Sequence, residues 1–258
     1  MTETILIAIL GGLIGFSSSV FGLGGNILIV PLLPLIIDLE LPSVIATGIF
    51  TVLIVTFVNT LHFYRQGLLD FRLVTFLFLP TSVTSFISSH YAHLVPEPMI
   101  RIVFLGVMAG ILMKLFRKKS TQQTTHSQTY IQVLLLSAGA LSGLLAGLTG
   151  IGTGVILTPL LLSLAVTDER NVSPTINFLI MVSCFFSSIN YLSWQTLSFP
   201  TSGLVHLDTA LYLSIPALLS AIQGRKLNST IDPRKRKIIV AVALLTLMVK
   251  LSISWLGF

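Results

Sequence analysis

Long apolar runs that carry no charge recur from one end of this chain to the other. Several of them reach the roughly 20 residues that a helix needs to cross a hydrocarbon core about 30 Å thick. Apolar residues make up 53% of the 258-residue chain and charged residues only 9%, whereas soluble domains carry about 25% charged residues. The alternating ten-residue pattern of a membrane β-barrel is absent from the sequence. The chain is therefore predicted to be an all-α polytopic membrane protein.

Two of the apolar runs are interrupted by glycine-rich stretches that match each other. We name residues 22–26 (Gly-Leu-Gly-Gly-Asn) the first break and residues 150–154 (Gly-Ile-Gly-Thr-Gly) the second break. Adding 128 to the residue number superimposes the breaks and their surroundings. This offset carries Gly11, Gly15, Gly22, Gly24, Pro31, Leu32 and Leu33 onto Gly139, Gly143, Gly150, Gly152, Pro159, Leu160 and Leu161. The chain is therefore predicted to consist of two related halves.

The lengths of the apolar segments predict how each half crosses the membrane. The segments are predicted at 4–21, 26–37, 43–64, 72–94, 98–116, 130–149, 154–166, 172–195, 207–224 and 237–256. As helices, the segments 26–37 and 154–166 reach only about 18 to 20 Å, which is too short to cross. Each is predicted to form a hairpin with the longer segment before it, so that the chain enters and leaves the membrane on one side.

Each half then contains one hairpin and three transmembrane helices. The first repeat covers residues 1–116, with hairpin 4–37 and helices 43–64, 72–94 and 98–116; a polar cytoplasmic linker covers 117–129; and the second repeat covers 130–258, with hairpin 130–166 and helices 172–195, 207–224 and 237–256. Because three crossings is an odd number, the second repeat begins on the opposite membrane face. The two repeats are therefore predicted to be inverted.

The basic residues predict the orientation of these segments. With both termini outside, 13 of the 15 basic residues lie on the cytoplasmic side, as the positive-inside rule requires. These are Arg65, Arg72, Lys114, Arg117, Lys118, Lys119, Arg170, Arg225, Lys226, Arg234, Lys235, Arg236 and Lys237, whereas Arg101 and Lys250 lie outside. Treating each broken segment as one crossing would separate the 117–119 and 225–237 clusters. We therefore predict a multi-pass protein of the cell inner membrane, whose basic pI reflects topology rather than a nucleic-acid partner.

The two breaks form the predicted binding site. Backbone that leaves a helix inside lipid must be buried in protein or face a water-filled cavity, and paired broken segments point to the binding site of a transporter. Helices that begin near Asn26 and Val155 direct their N-termini toward this site, which favours anions. All nine acidic residues lie in loops or at span ends, which disfavours a carboxylate proton relay or a cation site. The alternative is that the glycines only turn tight hairpins.

The candidate residues come from the breaks and from polar positions in the following helices. The predicted substrate-binding residues are Gly22, Gly24, Gly25, Asn26, Thr149, Gly150, Gly152, Thr153, Gly154, Asn59 and Asn177. Glycine permits close approach or a positive φ, and the Asn and Thr side chains supply hydrogen-bond donors. Interhelical hydrogen bonding is the alternative role for Asn59 and Asn177. A separate small-residue face, which includes Gly11, Gly15, Gly139 and Gly143, is predicted to pack helices closely.

The paired motifs support a family resemblance. The stretches Gly22-Leu-Gly-Gly-Asn-Ile-Leu-Ile-Val-Pro31 and Gly150-Ile-Gly-Thr-Gly-Val-Ile-Leu-Thr-Pro159, with the length and the duplicated layout, resemble the sulfite exporter TauE/SafE family over essentially the whole chain. The resemblance implies a bacterial-type membrane permease for small sulfur-containing anions such as sulfite or organosulfonates. The family commonly has a third glycine in each break, where this chain has Asn26 and Thr153.

Taken together, the residues and the resemblance predict a secondary transporter of a small anion that works by alternating access between the repeats. The predicted partners are the anionic substrate and membrane lipids. No cofactor, metal site or catalytic residue is predicted. An anion channel, or a non-transporting membrane enzyme or accessory protein, is the alternative. The sequence lacks an intramembrane acid, a Ser–His pair and a metal-ligand cluster, which argues against catalysis.

Overall fold

The structure is a computed structural model that describes residues 2–21, 25–116, 127–164, 166–192, 201–228, 241–242 and 245–251. Within these ranges the labelled helices are α1 (Thr2–Phe21), α2 (Asn26–Leu32), α3 (Leu41–Arg65), α4 (Phe71–His90), α5 (Glu97–Phe116), α6 (Gln128–Thr149), α7 (Gly154–Leu164), α8 (Glu169–Tyr191) and α9 (Leu207–Asn228). Short 3-10 turns follow α2 and α4 at Leu33–Leu35 and Ala92–Leu94. Residues 241–242 and 245–251 are helical too, and we call them the last helical segment. Gly22 and Gly24 of the first break lie outside the described residues, as does most of the predicted linker.

Four helices of the described part are long and apolar enough to cross a membrane, namely α3, α4, α6 and α8. By contrast, α2 and α7 have 7 and 11 residues, which correspond to about 10 and 16 Å. The predicted all-α membrane class is confirmed. One small addition is an antiparallel pair of two-residue strands, β1 (Thr201–Ser202) and β2 (Val205–His206). Strands of this length are too short to produce a readable alternating pattern.

Local sequence explains where several helices begin and end. The Asp70 carboxylate accepts hydrogen bonds from the N–H groups of Arg72 and Leu73, at 3.1 and 3.3 Å, and so caps the start of α4. The C-terminus of α6 is capped by Gly150, which has φ +70° and donates its N–H to the Ala146 carbonyl. A glycine in the left-handed region is the common end of a helix because it has no Cβ to clash.

The first helix of each half packs along a helix of the other half. Helix α1 lies along α9, and helix α6 lies along α4. A Cβ atom on Gly15 would collide with the backbone of Ala217 in α9, and one on Gly143 would collide with the backbone of Thr81 in α4. The missing side chains therefore allow the close backbone approach that small residues provide between membrane helices. The small-residue face acts in packing, as its spacing predicts.

These helix contacts follow a second numerical offset. Thr81 of α4 and Ala217 of α9 are separated by 136 residues, and so are Leu77 and Leu213. The Leu77 side chain lies against Gly139 in α6, and the backbone of Leu213 lies against Gly11 in α1. The two glycines are themselves related by the 128 offset. Residues related by the two offsets thus meet in both helix pairs, α4 with α6 and α9 with α1.

Helices α3 and α8 pack against each other between these two arrangements. Thr47 Oγ1 in α3 accepts a hydrogen bond from the N–H of His206, which precedes α9, at 3.1 Å. Thr175 Oγ1 in α8 accepts one from the N–H of Asp70, which precedes α4, at 3.0 Å. The threonines are related by the 128 offset, and the two donors by the 136 offset. The two hydrogen bonds therefore occupy corresponding positions in the two halves.

Large apolar side chains cover the outward faces of the helices. Leu79, Ile102 and Leu219 are 66%, 69% and 66% exposed. A soluble protein rarely exposes apolar patches of this kind, whereas hydrocarbon accepts them and demands internal satisfaction of the backbone. The exposed surface of the described residues thus suits lipid.

Candidate functional site

The second break is a buried connection between α6 and α7. After Gly150, the N–H of Ile151 donates to Thr149 Oγ1 at 3.2 Å, and that hydroxyl donates to the Leu145 carbonyl at 2.8 Å. The carbonyl of Thr153 accepts from the N–H of Leu157 in the first turn of α7. All residues from 149 to 154 are buried. The break therefore buries backbone N–H and C=O groups that lie outside a regular helix, and such groups need hydrogen-bond partners.

Three polar groups of the second break have no such partner among the described residues. The N–H groups of Gly152 and Thr153 make no hydrogen bond there. Thr153 Oγ1 is also buried without a partner, and the residue is 0% exposed. Buried polar groups are nearly always hydrogen-bonded in folded proteins, to protein, water or ligand. Each of the three groups can donate a hydrogen bond to an acceptor such as an oxyanion oxygen.

The first break is described from Gly25 onward. Gly25 precedes α2 with φ −67°, an ordinary helical value, so a positive φ is not what this position requires. A Cβ atom here would instead press on Ile14 in α1 and Val52 in α3. The next residue, Asn26, begins α2 and is only 1% exposed. Neither its Oδ1 nor its Nδ2 has a hydrogen-bond partner within the described part of the chain.

The Asn26 amide lies where the two breaks meet. A Cβ atom on Gly48 of α3 would overlap Asn26 Oδ1, and a Cβ atom on Gly150 of the second break would overlap Asn26 Nδ2. Glycine at both positions thus makes the room that the amide occupies. This side chain offers two N–H donors and one oxygen acceptor. The structure brings Asn26 next to Gly48 and to Gly150 of the second break, and it adds Gly48 to the sequence-derived set.

The site lies about halfway along the central helices. Gly25 contacts Val52, eleven residues after α3 begins at Leu41, and Gly152 contacts Ile180, eleven residues after α8 begins at Glu169. At 1.5 Å per residue, each contact is about 16 Å from the start of its helix. This is about half of a hydrocarbon core roughly 30 Å thick.

The two asparagines predicted from the central helices lie in different surroundings. Asn177 Oδ1 accepts a hydrogen bond from Thr60 Oγ1 at 3.2 Å and so bridges α8 and α3. This hydrogen bond fits interhelical bonding, the alternative role that the sequence analysis gave for Asn177. Asn59 is buried and follows Gly48 by eleven residues, about 16 Å along α3. The described contacts therefore do not bring Asn59 to the breaks.

Gly48 is the functional candidate that sequence reasoning missed. It lies inside a predicted crossing, 22 residues from Asn26, and no local pattern connects the two. Its signal was the presence of a glycine in a helix interior, where the residue costs stability relative to alanine unless packing requires it. Here the requirement is the Asn26 amide.

The comparison with known families follows from this architecture. The family described as sulfite exporter TauE/SafE matches residues 7–251. The chain belongs to this family. The TauE/SafE match covers both breaks and every labelled helix from Ile7 onward, which confirms the resemblance seen in the paired motifs. The family comprises membrane transporters of sulfur-containing anions. No curated protein and no solved structure shows significant similarity to the chain.

Proposed function

We propose that this TauE/SafE protein is a secondary transporter that moves a small sulfur oxyanion, sulfite or an organosulfonate, across the cytoplasmic membrane. The observation that carries the proposal is the buried Asn26 amide between Gly48 and the second break, with no hydrogen-bond partner among the described residues. Thr153 Oγ1 and the N–H groups of Gly152 and Thr153 supply further donors in the second break. An oxyanion would satisfy several of these donors at once.

The proposed mechanism is alternating access between two inverted repeats, residues 1–116 and 130–258, joined by the cytoplasmic linker 117–129. The pairs of contacts related by the offsets of 128 and 136 support this arrangement. So does the charge distribution, which favours both termini outside. In repeat transporters the binding site lies near the midplane between broken helices, and the two repeats move around it. The distance of about 16 Å from each helix start agrees with that location.

Uptake by proteoliposomes tests the proposal. Purified protein is reconstituted, and initial rates are measured with radiolabelled sulfite, thiosulfate, sulfoacetate and sulfate over a range of concentrations. We expect saturable uptake of at least one sulfur oxyanion and acceleration by the same anion on the opposite side. Flux that rises linearly with concentration and lacks such trans-stimulation would instead identify a channel. Absence of flux for the whole panel would favour a non-transporting protein.

The variant Asn26→Leu examines the site itself. Leucine has a similar volume but no hydrogen-bonding group, so we expect the rate to fall at least about 100-fold, as when several hydrogen bonds to a charged ligand are lost. The thermal unfolding midpoint should fall little, because the amide has no partner to lose among the described residues. Asn190→Leu is the matched control, since the Asn190 amide donates to the Phe86 carbonyl and to Ser89 Oγ. That control should lower the midpoint clearly while saturable uptake persists. Wild-type uptake by Asn26→Leu would refute the site.

A further inference from the structure

A cavity opens at the far end of the first hairpin from Asn26. Its volume is about 200 Å³, and the residues around it come from α2 and the 3-10 turn, the connection to α3, helix α5 and the last helical segment. The lining residues are Val30, Pro31, Pro34, Leu35, Leu39, Leu41, Arg101, Lys250 and Leu251. Asn26 is not among them, and Val30 follows it by one helical turn. The cavity is therefore separate from the meeting point of the two breaks.

The polar part of this cavity is basic. Arg101 and Lys250 line it, and none of the described lining residues carries a carboxylate. Arg101 Nη2 donates to Glu97 Oε2 at 3.1 Å, one turn earlier in α5, in a pair whose side chains are 33% and 40% exposed. Such an exposed pair contributes little to stability and holds its partner loosely. A guanidinium carries five N–H donors in a planar fork, a geometry that suits the oxygens of an anion.

The membrane topology does not explain the positions of Arg101 and Lys250. The positive-inside rule accounts for 13 of the 15 basic residues, and Arg101 and Lys250 are the two that it leaves on the outer side. They are distant in sequence but line one cavity. Basic residues that converge on a cleft with apolar walls concentrate the field and raise the local concentration of anions. Their convergence therefore indicates binding rather than orientation of the chain.

We propose that this cavity is a second anion site, an outer vestibule that binds an oxyanion group through Arg101 and Lys250. The fork of a guanidinium matches two oxygens of a sulfite, sulfonate or phosphate group, and the ammonium adds a mobile charge. The volume is below the roughly 300 to 1,000 Å³ of sites for drug-sized ligands, so a small hydrated anion or a single headgroup fits. The assignment to the outer side rests on the proposed function and its topology.

The first arm of the test isolates this vestibule from the site at the breaks. The full-length protein carries Asn26→Leu, and its thermal unfolding midpoint is followed while sodium sulfite is added against sodium chloride of equal ionic strength. We expect a sulfite-specific rise that weakens at least about tenfold in apparent affinity when Arg101→Gln and Lys250→Gln are added. Arg65→Gln with Arg72→Gln is the matched control, because it removes two exposed cations that do not line the cavity.

The second arm uses lipid as the probe, because a phospholipid phosphate has the same chemistry as a free oxyanion. The titration is repeated with phosphatidylglycerol added to neutral detergent, with phosphatidylcholine as the comparison. A rise with phosphatidylglycerol alone that needs Arg101 and Lys250 would support the site and identify a lipid headgroup as its occupant. If neither sulfite nor phosphatidylglycerol gives a rise that depends on this pair, the vestibule is refuted.

Transport kinetics connect the vestibule to function. In otherwise wild-type protein, Lys250→Gln should raise the KM for external sulfite about three- to tenfold, with kcat within about twofold, because it removes charge that gathers the anion before the central step. Lys250→Arg should restore the KM. If no panel anion is transported but the midpoint rise in the first arm persists, the transport proposal fails and the vestibule stands.

Discussion

The two breaks match each other in sequence at the offset of 128, but their described residues offer different chemistry. The first break contributes a side chain, the Asn26 amide, from an otherwise ordinary helix start. The second contributes backbone, through the left-handed Gly150 and two buried N–H groups, with the Thr153 hydroxyl beside them. The proposed site is thus asymmetric, and this asymmetry lies at Asn26 and Thr153, the two positions where glycine is replaced.

The largest effect is expected when a side chain is added where the second break contacts the first. In Gly150→Ala, the new methyl group would strain a residue at φ +70° and also overlap Asn26 Nδ2. We expect sulfite uptake to fall at least about 100-fold, because both the loop and the amide must shift. Gly67→Ala is the control, since Gly67 has φ +66° but no neighbour within 4 Å. Equal uptake by the two variants would show that strain alone, rather than the contact with Asn26, matters.

The first break can be disturbed from α3 without changing the break itself. In Gly48→Ala, the methyl group would overlap Asn26 Oδ1 and displace the amide, so we expect a loss of about 10- to 100-fold in kcat/KM. Gly106→Ala in α5 adds the same methyl group where nothing lies within 4 Å. Uptake by Gly48→Ala that matches Gly106→Ala would remove Asn26 from the proposed site.

The Thr153 hydroxyl tests how much the second break depends on a side chain. Thr153→Val keeps the shape and removes one donor, so we expect kcat/KM to fall about tenfold, the value of one hydrogen bond to a charged group. Thr153→Ser keeps the donor and should retain most of the uptake. A valine variant as active as wild type would mean that only backbone N–H groups act at this break, which would deepen the contrast with Asn26.

The smallest effects are expected at the corresponding hydrogen bonds of Thr47 and Thr175. Thr47→Val and Thr175→Val each remove one acceptor of a backbone N–H and should each lower the free energy of unfolding by about 1 kcal/mol. Equal losses in denaturant titrations would extend the equivalence of the halves to their energetics. If only one of the two variants lost stability, the asymmetry of the breaks would extend to helices α3 and α8.

Local patterns in the sequence were sufficient for the helices and the family. The apolar runs predict helical membrane segments because hydrocarbon leaves the backbone few alternatives, and the paired glycine motifs identify TauE/SafE. The repeat boundaries and the inverted topology stay predictions. The local conformation of the breaks was harder to predict. Glycine suggested positive φ at several positions, but in the described part of the breaks only Gly150 adopts it, while Gly25 serves a close contact.

The contacts between distant segments could not be read from the sequence. Asn26 was a predicted donor, but its position between Gly48 and Gly150 depends on how three elements pack. Asn59 and Asn177 were chosen because they are polar inside crossings, a signal that transport pathways and interhelical hydrogen bonds share. The structure gives Asn177 a partner in Thr60. A pathway residue and an interhelical bridge differ only in whether the side chain has a hydrogen-bond partner in the protein. That partner is determined by the tertiary structure.

The exchange of helices between the halves, α1 along α9 and α6 along α4, has a consequence for biosynthesis. The surface of α1 that contains Gly15 finds its partner only after the ribosome has added the nearly 200 residues that lead to α9. At translation rates of roughly 5 to 20 residues per second, the nascent α1 waits about 10 to 40 s in the bilayer. A chain that stops after the first half would therefore lack the partner of its own first helix. Both ends of the chain must therefore be synthesised before α1 can pack against α9.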